Sequence, residues 1–322
     1  MVALAERRPR RKAVTFLLVL ATVAFCAAAA LRLLGIDGTR HMVATTALTP
    51  YSAAAGVLLA AVALLLRRWA LGTTALLLSL VLVAAVAPRA FPDPRPVGTG
   101  QDVRVLSANL HHGGADAAAL VGAVRDHRVD VLALQELTPG AVAALDRAGL
   151  ADVLPHRVFL PAPGAAGSGL AARHPLTTRA LPARTTFPQA AALVSVPGAD
   201  VEVVSVHTLA PTVPGGPVPW QRDLAGLPER DLDGPVRVLA GDFNATLDHV
   251  GLRRLLNRGY VDAADQVCEG LTPTWPSRGY WPPVVLDHVL VDNRCPVEEF
   301  RVLDLPGTDH RAVVTRFVVP DP

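Results

Sequence analysis

Three long apolar stretches in the first ninety residues limit the possible fold more than any other feature of the chain. Val14–Leu34, Ala44–Leu66 and Ala70–Ala87 carry almost no charge. About 20 apolar residues in a helix cross the hydrocarbon layer of a bilayer. Three such stretches so close together are not typical of a water-soluble domain. The pattern therefore predicts a membrane anchor at residues 1–87 with about three transmembrane helices.

The positive charges around these stretches predict their orientation. A basic cluster precedes the first stretch, and Arg67 with Arg68 separates the second from the third. The cluster consists of Arg7, Arg8, Arg10, Arg11 and Lys12. Lys and Arg accumulate on the cytoplasmic side, so three spans leave the C-terminal part outside the cytoplasm. If the first stretch is instead a cleaved signal peptide, two spans remain and the C-terminal part is still outside.

The remaining chain differs from the anchor in composition and charge. Residues 88–100 are rich in proline and glycine and predict a stiff linker, so that residues 101–322 form a separate domain. Eleven basic and three acidic residues precede position 99, which leaves 30 − 11 = 19 basic and 28 − 3 = 25 acidic residues. A net charge of −6 disfavours unspecific binding to nucleic acid through an extended cationic face.

The soluble part alternates β-branched runs with helical patterns, which predicts an α/β or α+β domain with buried sheets. The predicted strands are Val103–Ser107, Val129–Leu134, Val201–Val206, Val236–Ala240, Val284–Val291 and Ala312–Val319. The predicted helices are Ala115–Arg128, Pro139–Ala148 and His249–Arg258. Acids, amides and histidines follow the strands where they end, as a cleft across a sheet edge requires.

Six short motifs at these strand ends resemble the endonuclease/exonuclease/phosphatase superfamily, which includes DNase I, the exonuclease III class, neutral sphingomyelinases and inositol polyphosphate 5-phosphatases. In chain order they read SANLH, LALQE, SVHT, GDFNAT, LDHVLV and GTDH. The order is that of the family, and the motifs cover about residues 102–319. The resemblance implies a four-layer fold in which two packed β-sheets are flanked by helices. It also implies a metal-dependent phosphoester hydrolase.

The metal ligands that the resemblance implies are Glu136, Asn109 and Asp309. Carboxylate and amide oxygens are hard ligands, which suit Mg²⁺ or Mn²⁺. A zinc site is disfavoured because the histidines lack metal-ligand spacing and the chain has no CxxC motif.

The resemblance assigns the remaining chemistry to five residues. Asp242 activates or orients the attacking water, and Asn244 binds the phosphate nearby. His310 donates a hydrogen bond to the phosphate or the leaving group, Asp287 orients its ring, and His207 contacts the phosphate from the other side. Taken singly, each residue also has a structural explanation, such as an Asx turn at Asp242, a helix cap at Glu136 or an ordinary hydrogen-bonded histidine.

For several other residues the sequence leaves more than one role possible. His111 and His112 line the cleft or belong to a surface loop. Strand alternation turns His288 away from the face of Asp287, which favours a packing role. Cys268 and Cys295 predict a disulfide if the domain is exported, and two buried thiols are the alternative.

These observations predict a phosphodiesterase that acts outside the cytoplasm on nucleic acid or a lipid-linked phosphate. The alternatives are a phosphomonoesterase and a catalytically silent ligand-binding module at the membrane. A membrane and a phosphoester are the expected partners, and the sequence indicates no protein partner. The uncharged spans make a transport role the weakest interpretation.

Overall fold

The computed structural model describes residues 7–91, 98–181 and 183–321, without the side chains of residues 7–10. The chain divides into two compact units: Met1–Pro88 with Asp248–Val250, and Arg89–Leu247 with Gly251–Pro322. Residues 92–97 of the predicted linker, residues 88–100, lie outside the described residues.

The first unit is built from four helices: α1 Arg7–Leu34, α2 Arg40–Ala47, α3 Thr49–Leu65 and α4 Trp69–Val86. Two segments, Arg11–Leu34 and Trp69–Ala90, are long and apolar enough to cross a membrane. Helices α2 and α3 form a pair bent by 70°, and a third span results if that pair is one span. Proline lies in the first turn of α3, where it needs no hydrogen-bond donor, and its ring prevents a straight continuation from α2.

The second unit contains two six-stranded sheets and the helices that flank them, as predicted. The first sheet has the order β11-β12-β1-β2-β4-β3, and the second has β5-β6-β7-β8-β10-β9. The strands are β1 Gly100–Asn109, β2 Val131–Gln135, β3 His156–Leu160, β4 Ser168–Ala172, β5 Leu176–Thr178, β6 Ala191–Val196, β7 Ala199–His207, β8 Val236–Asp242, β9 Tyr260–Asp262, β10 Asp287–Asp292, β11 Val297–Leu303 and β12 Ala312–Pro320. The helices are α5 Ala117–Asp126, α6 Pro139–Arg147, α7 Pro217–Gly226, α8 Val250–Leu256 and α9 Ala263–Gln266.

Alternating side chains of the central strands enter two different cores. Val103 and Val105 of β1 pack between the sheets, in one cluster with Val203 of β7. Leu106 of the same strand faces the other way and packs in a second cluster with Leu120 of α5. Because successive strand residues point to opposite faces, burial of both faces explains the nearly unbroken apolar runs.

Each of the six predicted strands has a counterpart, but six further strands were not predicted. They include β4, β6 and β11. The first two are rich in alanine, which has low β propensity, and are strands because neighbouring strands pair with them. The predicted strand Val284–Val291 begins only at Asp287, since Val284 forms a separate bridge with Trp275.

The predicted disulfide is absent from the structure, in which Cys268 and Cys295 are both free. Cys295 is buried in the core between the sheets. Burial, reinforced by the charge of Asp292, raises the pKa of its thiol to about 12. A thiol in this setting packs as a small apolar side chain and is a poor nucleophile. The cysteines therefore give no support to an exported domain.

The close approach of two backbone segments behind Glu136 generates a prediction. A Cβ at Gly167 would lie 1.9 Å from the carbonyl oxygen of Leu137, whereas one at Gly122 in α5 would meet nothing within 4 Å. We expect Gly167→Ala to destabilise the fold by about 1–3 kcal/mol, as overpacking does. Its matched control, Gly122→Ala, should stabilise the protein by about 0.5–1 kcal/mol. Denaturant unfolding of the full chain measures both, and equal midpoints for Gly167→Ala and wild type would contradict the prediction.

Candidate active site

Two parallel strand pairs, one in each sheet, position the polar motifs. In the first sheet Asn109 pairs with Gln135 at the ends of β1 and β2, and Glu136 follows directly. In the second sheet His207 pairs with Asp242 at the ends of β7 and β8. Carboxyl ends of parallel strands meet at one edge of a sheet, which is where binding sites of such sheets form.

Asp242 is the side chain on which the two sheets converge. Its Oδ2 accepts a hydrogen bond of 3.1 Å from the Asn109 amide of the other sheet. The same oxygen lies 3.6 Å from His310 Nε2 and 3.8 Å from His207 Nε2. The side chain is almost inaccessible to solvent. One buried carboxylate oxygen is therefore surrounded by an amide and two imidazoles.

Glu136 stands beside this cluster. Its Oε1 accepts a hydrogen bond of 3.3 Å from the Asn109 amide and lies 3.9 Å from His207 Nε2. Its Oε2 accepts a hydrogen bond of 2.6 Å from the backbone N–H of His112. Asn109 thus bridges the carboxylates of Glu136 and Asp242.

Left-handed backbone is concentrated in this region. Seven described residues other than glycine have positive φ, and four belong to the cleft: His111, His112, Glu136 and Asn244. Such backbone costs energy in non-glycine residues and is retained where the surrounding structure enforces it. At Glu136 the conformation follows immediately after β2 and ends the strand where the carboxylate reaches Asn109.

His310 and Asp287 form the predicted acid–imidazole pair. His310 Nδ1 lies 2.9 Å from Asp287 Oδ2, and both side chains are buried. Burial alone would lower the pKa of His310, but the nearby carboxylates of Asp287 and Asp242 raise it to about 10. The ring is therefore a protonated donor at neutral pH, with Nε2 on the side of Asp242.

The environment of Asp242 favours proton uptake. Burial raises the pKa of its carboxyl, the charge of Asp287 adds to this, and the imidazoles of His310 and His207 oppose it. Its Oδ1 accepts a hydrogen bond of 2.8 Å from the backbone N–H of Asn244. This hydrogen bond forms the Asx turn that was the structural explanation for Asp242. The same carboxylate also contacts Asn109, His207 and His310, so the turn does not exclude a role in the site. The Asn244 amide donates to the carbonyl of Thr208 at 3.0 Å.

The imidazole of His207 is fixed by residues that the motifs did not indicate. Gln189 exchanges two hydrogen bonds of 2.7 Å with the backbone of His207. Phe187 stacks on the ring with a centroid distance of 5.0 Å. The Nδ1 atom lies 3.1 Å from the carbonyl of Ala165, an acceptor, so Nδ1 carries the proton and Nε2 faces the carboxylates. No sequence signal marked Gln189, because its role depends on the pairing of β6 with β7.

The carboxylate of Asp309 contacts His111 and Trp275. Its Oδ1 lies 2.7 Å from His111 Nδ1, and its Oδ2 accepts a hydrogen bond of 3.1 Å from Trp275 Nε1. The link to Asn109 is indirect, because the neighbouring Thr308 hydroxyl donates to the Asn109 carbonyl. His111 and His112 therefore line the cleft, which answers one of the open alternatives.

Two sets of residues could hold a metal ion. Glu136 and Asn109 form the predicted pair, to which Asp242 is adjacent. The ligand atoms of Asp242, Asp287 and His310 also lie within 4.8 Å of one another.

His288 supports the cleft from behind, in the packing role that strand alternation predicted. Its Nδ1 lies 2.7 Å from Asp262 Oδ2, and its Nε2 lies 2.8 Å from the carbonyl of Ala245. Both partners are acceptors, so both ring nitrogens donate and the ring is an imidazolium. Burial lowers its pKa, but the Asp262 carboxylate outweighs burial, so the net direction is upward.

This buried pair generates a prediction for Asp262→Asn, which leaves the imidazolium without its counter-charge. We expect a loss of about 3–5 kcal/mol in unfolding free energy, as for other broken buried pairs. The folded pKa of His288 is raised, so the contribution is complete below about pH 6.5 and declines as pH rises through the folded pKa. The exposed Asp126→Asn at the end of α5 is the control. Denaturant unfolding of both variants at several pH values tests this prediction. A loss of unfolding free energy in Asp262→Asn that grows with pH would contradict the charged state of His288.

Comparisons with known proteins identify the family of the chain. The family model described as "Endonuclease/Exonuclease/phosphatase family" matches residues 106–310, more than half of the chain. No curated protein sequence matches the chain significantly.

Solved structures share the fold. An endonuclease/exonuclease/phosphatase from Beutenbergia cavernae is 23% identical with a TM-score of 0.54, over 68% of this chain and 72% of that one. D. rerio TDP2, solved with a single-strand DNA product, is 18% identical with a TM-score of 0.52, over 68% of this chain and 100% of that one. An endonuclease/exonuclease/phosphatase family protein from Bacteroides thetaiotaomicron is 14% identical with a TM-score of 0.51, over 69% of this chain and 96% of that one. The chain belongs to the endonuclease/exonuclease/phosphatase family, whose members are generally metal-dependent phosphoester hydrolases.

Proposed function

We propose that the chain is a membrane-anchored, Mg²⁺- or Mn²⁺-dependent phosphodiesterase. The observation that carries the proposal is the convergence of Asn109, His207 and His310 on one oxygen of Asp242. A carboxylate in this position can accept a proton from water, and a protonated imidazole beside it can donate one. A structural role alone does not require two imidazoles and an amide from two sheets at a single buried oxygen.

Glu136 and Asn109 would hold the metal ion, because a carboxylate beside an amide is the hard-oxygen donor set that Mg²⁺ and Mn²⁺ prefer. Asp309 contributes at the rim, where its carboxylate is bonded to His111 and Trp275. When bound, such an ion neutralises charge on the phosphoryl oxygens.

The residues of the chain perform the proton transfers of hydrolysis. Asp242 removes a proton from the attacking water, whose oxygen forms the new bond to phosphorus. The bond between phosphorus and the leaving oxygen breaks, and His310 gives that oxygen a proton. Asp287 keeps His310 protonated and oriented, while His207 and Asn244 position the phosphate. Water is the only co-reactant, and nothing is oxidised or reduced.

Turnover of a soluble phosphodiester such as bis(4-nitrophenyl) phosphate tests this proposal in the purified full chain. EDTA should abolish turnover, and Mg²⁺ or Mn²⁺ should restore it. Asp242→Asn and His310→Gln should lower kcat by about 10²–10⁴-fold, as general acid–base steps do. The exposed Asp126→Asn is the control variant.

The outcome separates the alternatives. Full activity in EDTA would refute the metal assignment, and folded Asp242→Asn with normal kcat would refute its role. Turnover of phosphomonoesters alone would indicate a phosphomonoesterase. Absence of turnover on DNA, RNA, phospholipids and small phosphoesters would leave a ligand-binding module.

The anchor supports a location of the catalytic unit outside the cytoplasm. One pocket of about 340 Å³ in the first unit is lined by Arg11, Lys12 and Arg68, together with Thr15, Phe16 and Val19. The two basic clusters thus lie at the same end of the helices, as three spans starting in the cytoplasm require.

A pair of C-terminal fusions tests this topology. Alkaline phosphatase is active only after export and green fluorescent protein is bright mainly inside the cell, so we expect an active phosphatase fusion and a dark fluorescent one. The reverse pattern would place the catalytic unit in the cytoplasm. N-terminal sequencing of the mature protein shows whether the first helix is cleaved.

A further inference from the structure

A loop beside the cleft exposes two large aromatic side chains to solvent. Residues 278–283, called here the tip loop, are all exposed. Tyr280 is 106% and Trp281 is 74% exposed, more than any other large hydrophobic side chain described in the second unit. Large aromatic side chains in water forgo the free energy of burial, so a loop that presents two of them side by side points to a partner surface.

The base of the tip loop is bonded to the catalytic segment. Trp275 and Val284 exchange backbone hydrogen bonds of 3.0 and 2.7 Å, which close the loop. Ser277 donates its backbone N–H to the Asp309 carbonyl at 2.7 Å and its hydroxyl to the Thr308 carbonyl at 3.1 Å. His310 is the residue next to Asp309. A surface or molecule that binds the tip loop is therefore held close to His310.

The chemistry of the tip loop favours a lipid surface over nucleic acid. Tyr and Trp have an apolar ring with one polar group, and both are enriched where lipid meets water. The loop carries a single cation, Arg278, and residues 99–322 have a net charge of −6. Aromatic platforms for single strands normally stand in a positively charged groove, which this charge balance does not supply. A membrane is close by if the first unit is an anchor.

We propose that the tip loop docks on the lipid–water interface and that the phosphoester substrate is held in that interface. This inference rests on the proposed hydrolase activity and narrows its substrate class to lipid-linked phosphoesters. Docking places the cleft at the level of the headgroups, so a substrate reaches Asp242 and His310 without leaving the bilayer.

Fluorescence quenching tests the docking without any need for activity. The full chain is reconstituted in phosphatidylcholine vesicles with or without acyl-brominated lipid. Because the chain has four tryptophans, the signal of Trp281 is the difference between wild type and Trp281→Phe. We expect bromolipid to quench most of this difference signal. An unquenched Trp281 would overturn the proposal.

Kinetics test the substrate class. Tyr280→Ser combined with Trp281→Ser should lower the rate on a vesicle-held phosphodiester by about tenfold or more, because each aromatic contributes hydrophobic free energy to docking. The rate on bis(4-nitrophenyl) phosphate should stay the same. Leu232→Ser removes another exposed apolar side chain, 68% exposed in wild type, and should change neither rate.

Two outcomes separate this inference from the proposed function. A wild-type protein that hydrolyses no phosphoester refutes the function, while the quenching result still decides the docking. An equal loss on a single-stranded oligonucleotide without lipid would show that the aromatics stack on bases, which overturns the lipid proposal.

Discussion

The burial of the Asp242 carboxylate is the constraint on which the rest of the site depends. A carboxylate that is out of contact with water needs donors or a counter-charge, or it takes up a proton. Here the donors are the Asn109 amide at 3.1 Å and the Asn244 backbone N–H at 2.8 Å, and the imidazole of His310 at 3.6 Å supplies the counter-charge. His310 is itself kept protonated by Asp287. Among the groups that stabilise the buried carboxylate of Asp242 is thus His310, which could also transfer a proton during hydrolysis.

The arrangement follows from the way the two sheets are built. Each sheet has one parallel pair of strands at its centre, β1 with β2 and β7 with β8. The pairs end beside each other, because Asn109 from the first reaches Asp242 from the second. A buried apolar core between the sheets holds the strand ends at fixed separation. Precise placement of the polar groups is therefore a consequence of core packing some distance below them.

Two histidines that differ in role illustrate how the fold uses charge. His310 and His288 both have a carboxylate partner, Asp287 and Asp262 respectively. Nε2 of His310 faces the cleft, whereas Nε2 of His288 donates to the carbonyl of Ala245 within the GDFNAT segment. One imidazolium is free to act on a substrate, and the other stabilises the loop that carries Asp242 and Asn244. Adjacent strand positions thus place Asp287 and His288 on opposite faces, with opposite tasks.

The two-sheet arrangement was implied by the family resemblance of the six motifs. The apolar spans, the buried sheets and the motifs themselves were readable from the chain. They are local patterns: unbroken apolar runs, β-branched segments and polar residues just after them. The cluster of Asn109, Glu136, Asp242 and His310 was predictable for the same reason, since every member follows or precedes a recognisable strand.

The tertiary structure decided what depends on contacts between distant segments. The contacts of Asp309 with His111 and Trp275 join the segment after β1 to the loop closed by Trp275, and no motif indicated them. Cys268 and Cys295 remain free, and Cys295 packs in the core between the sheets. Alanine-rich β4 and β6 are strands only because their neighbours pair with them. Residue patterns predict which side chains lie on a strand. Only the packing of distant segments determines which residues each side chain contacts.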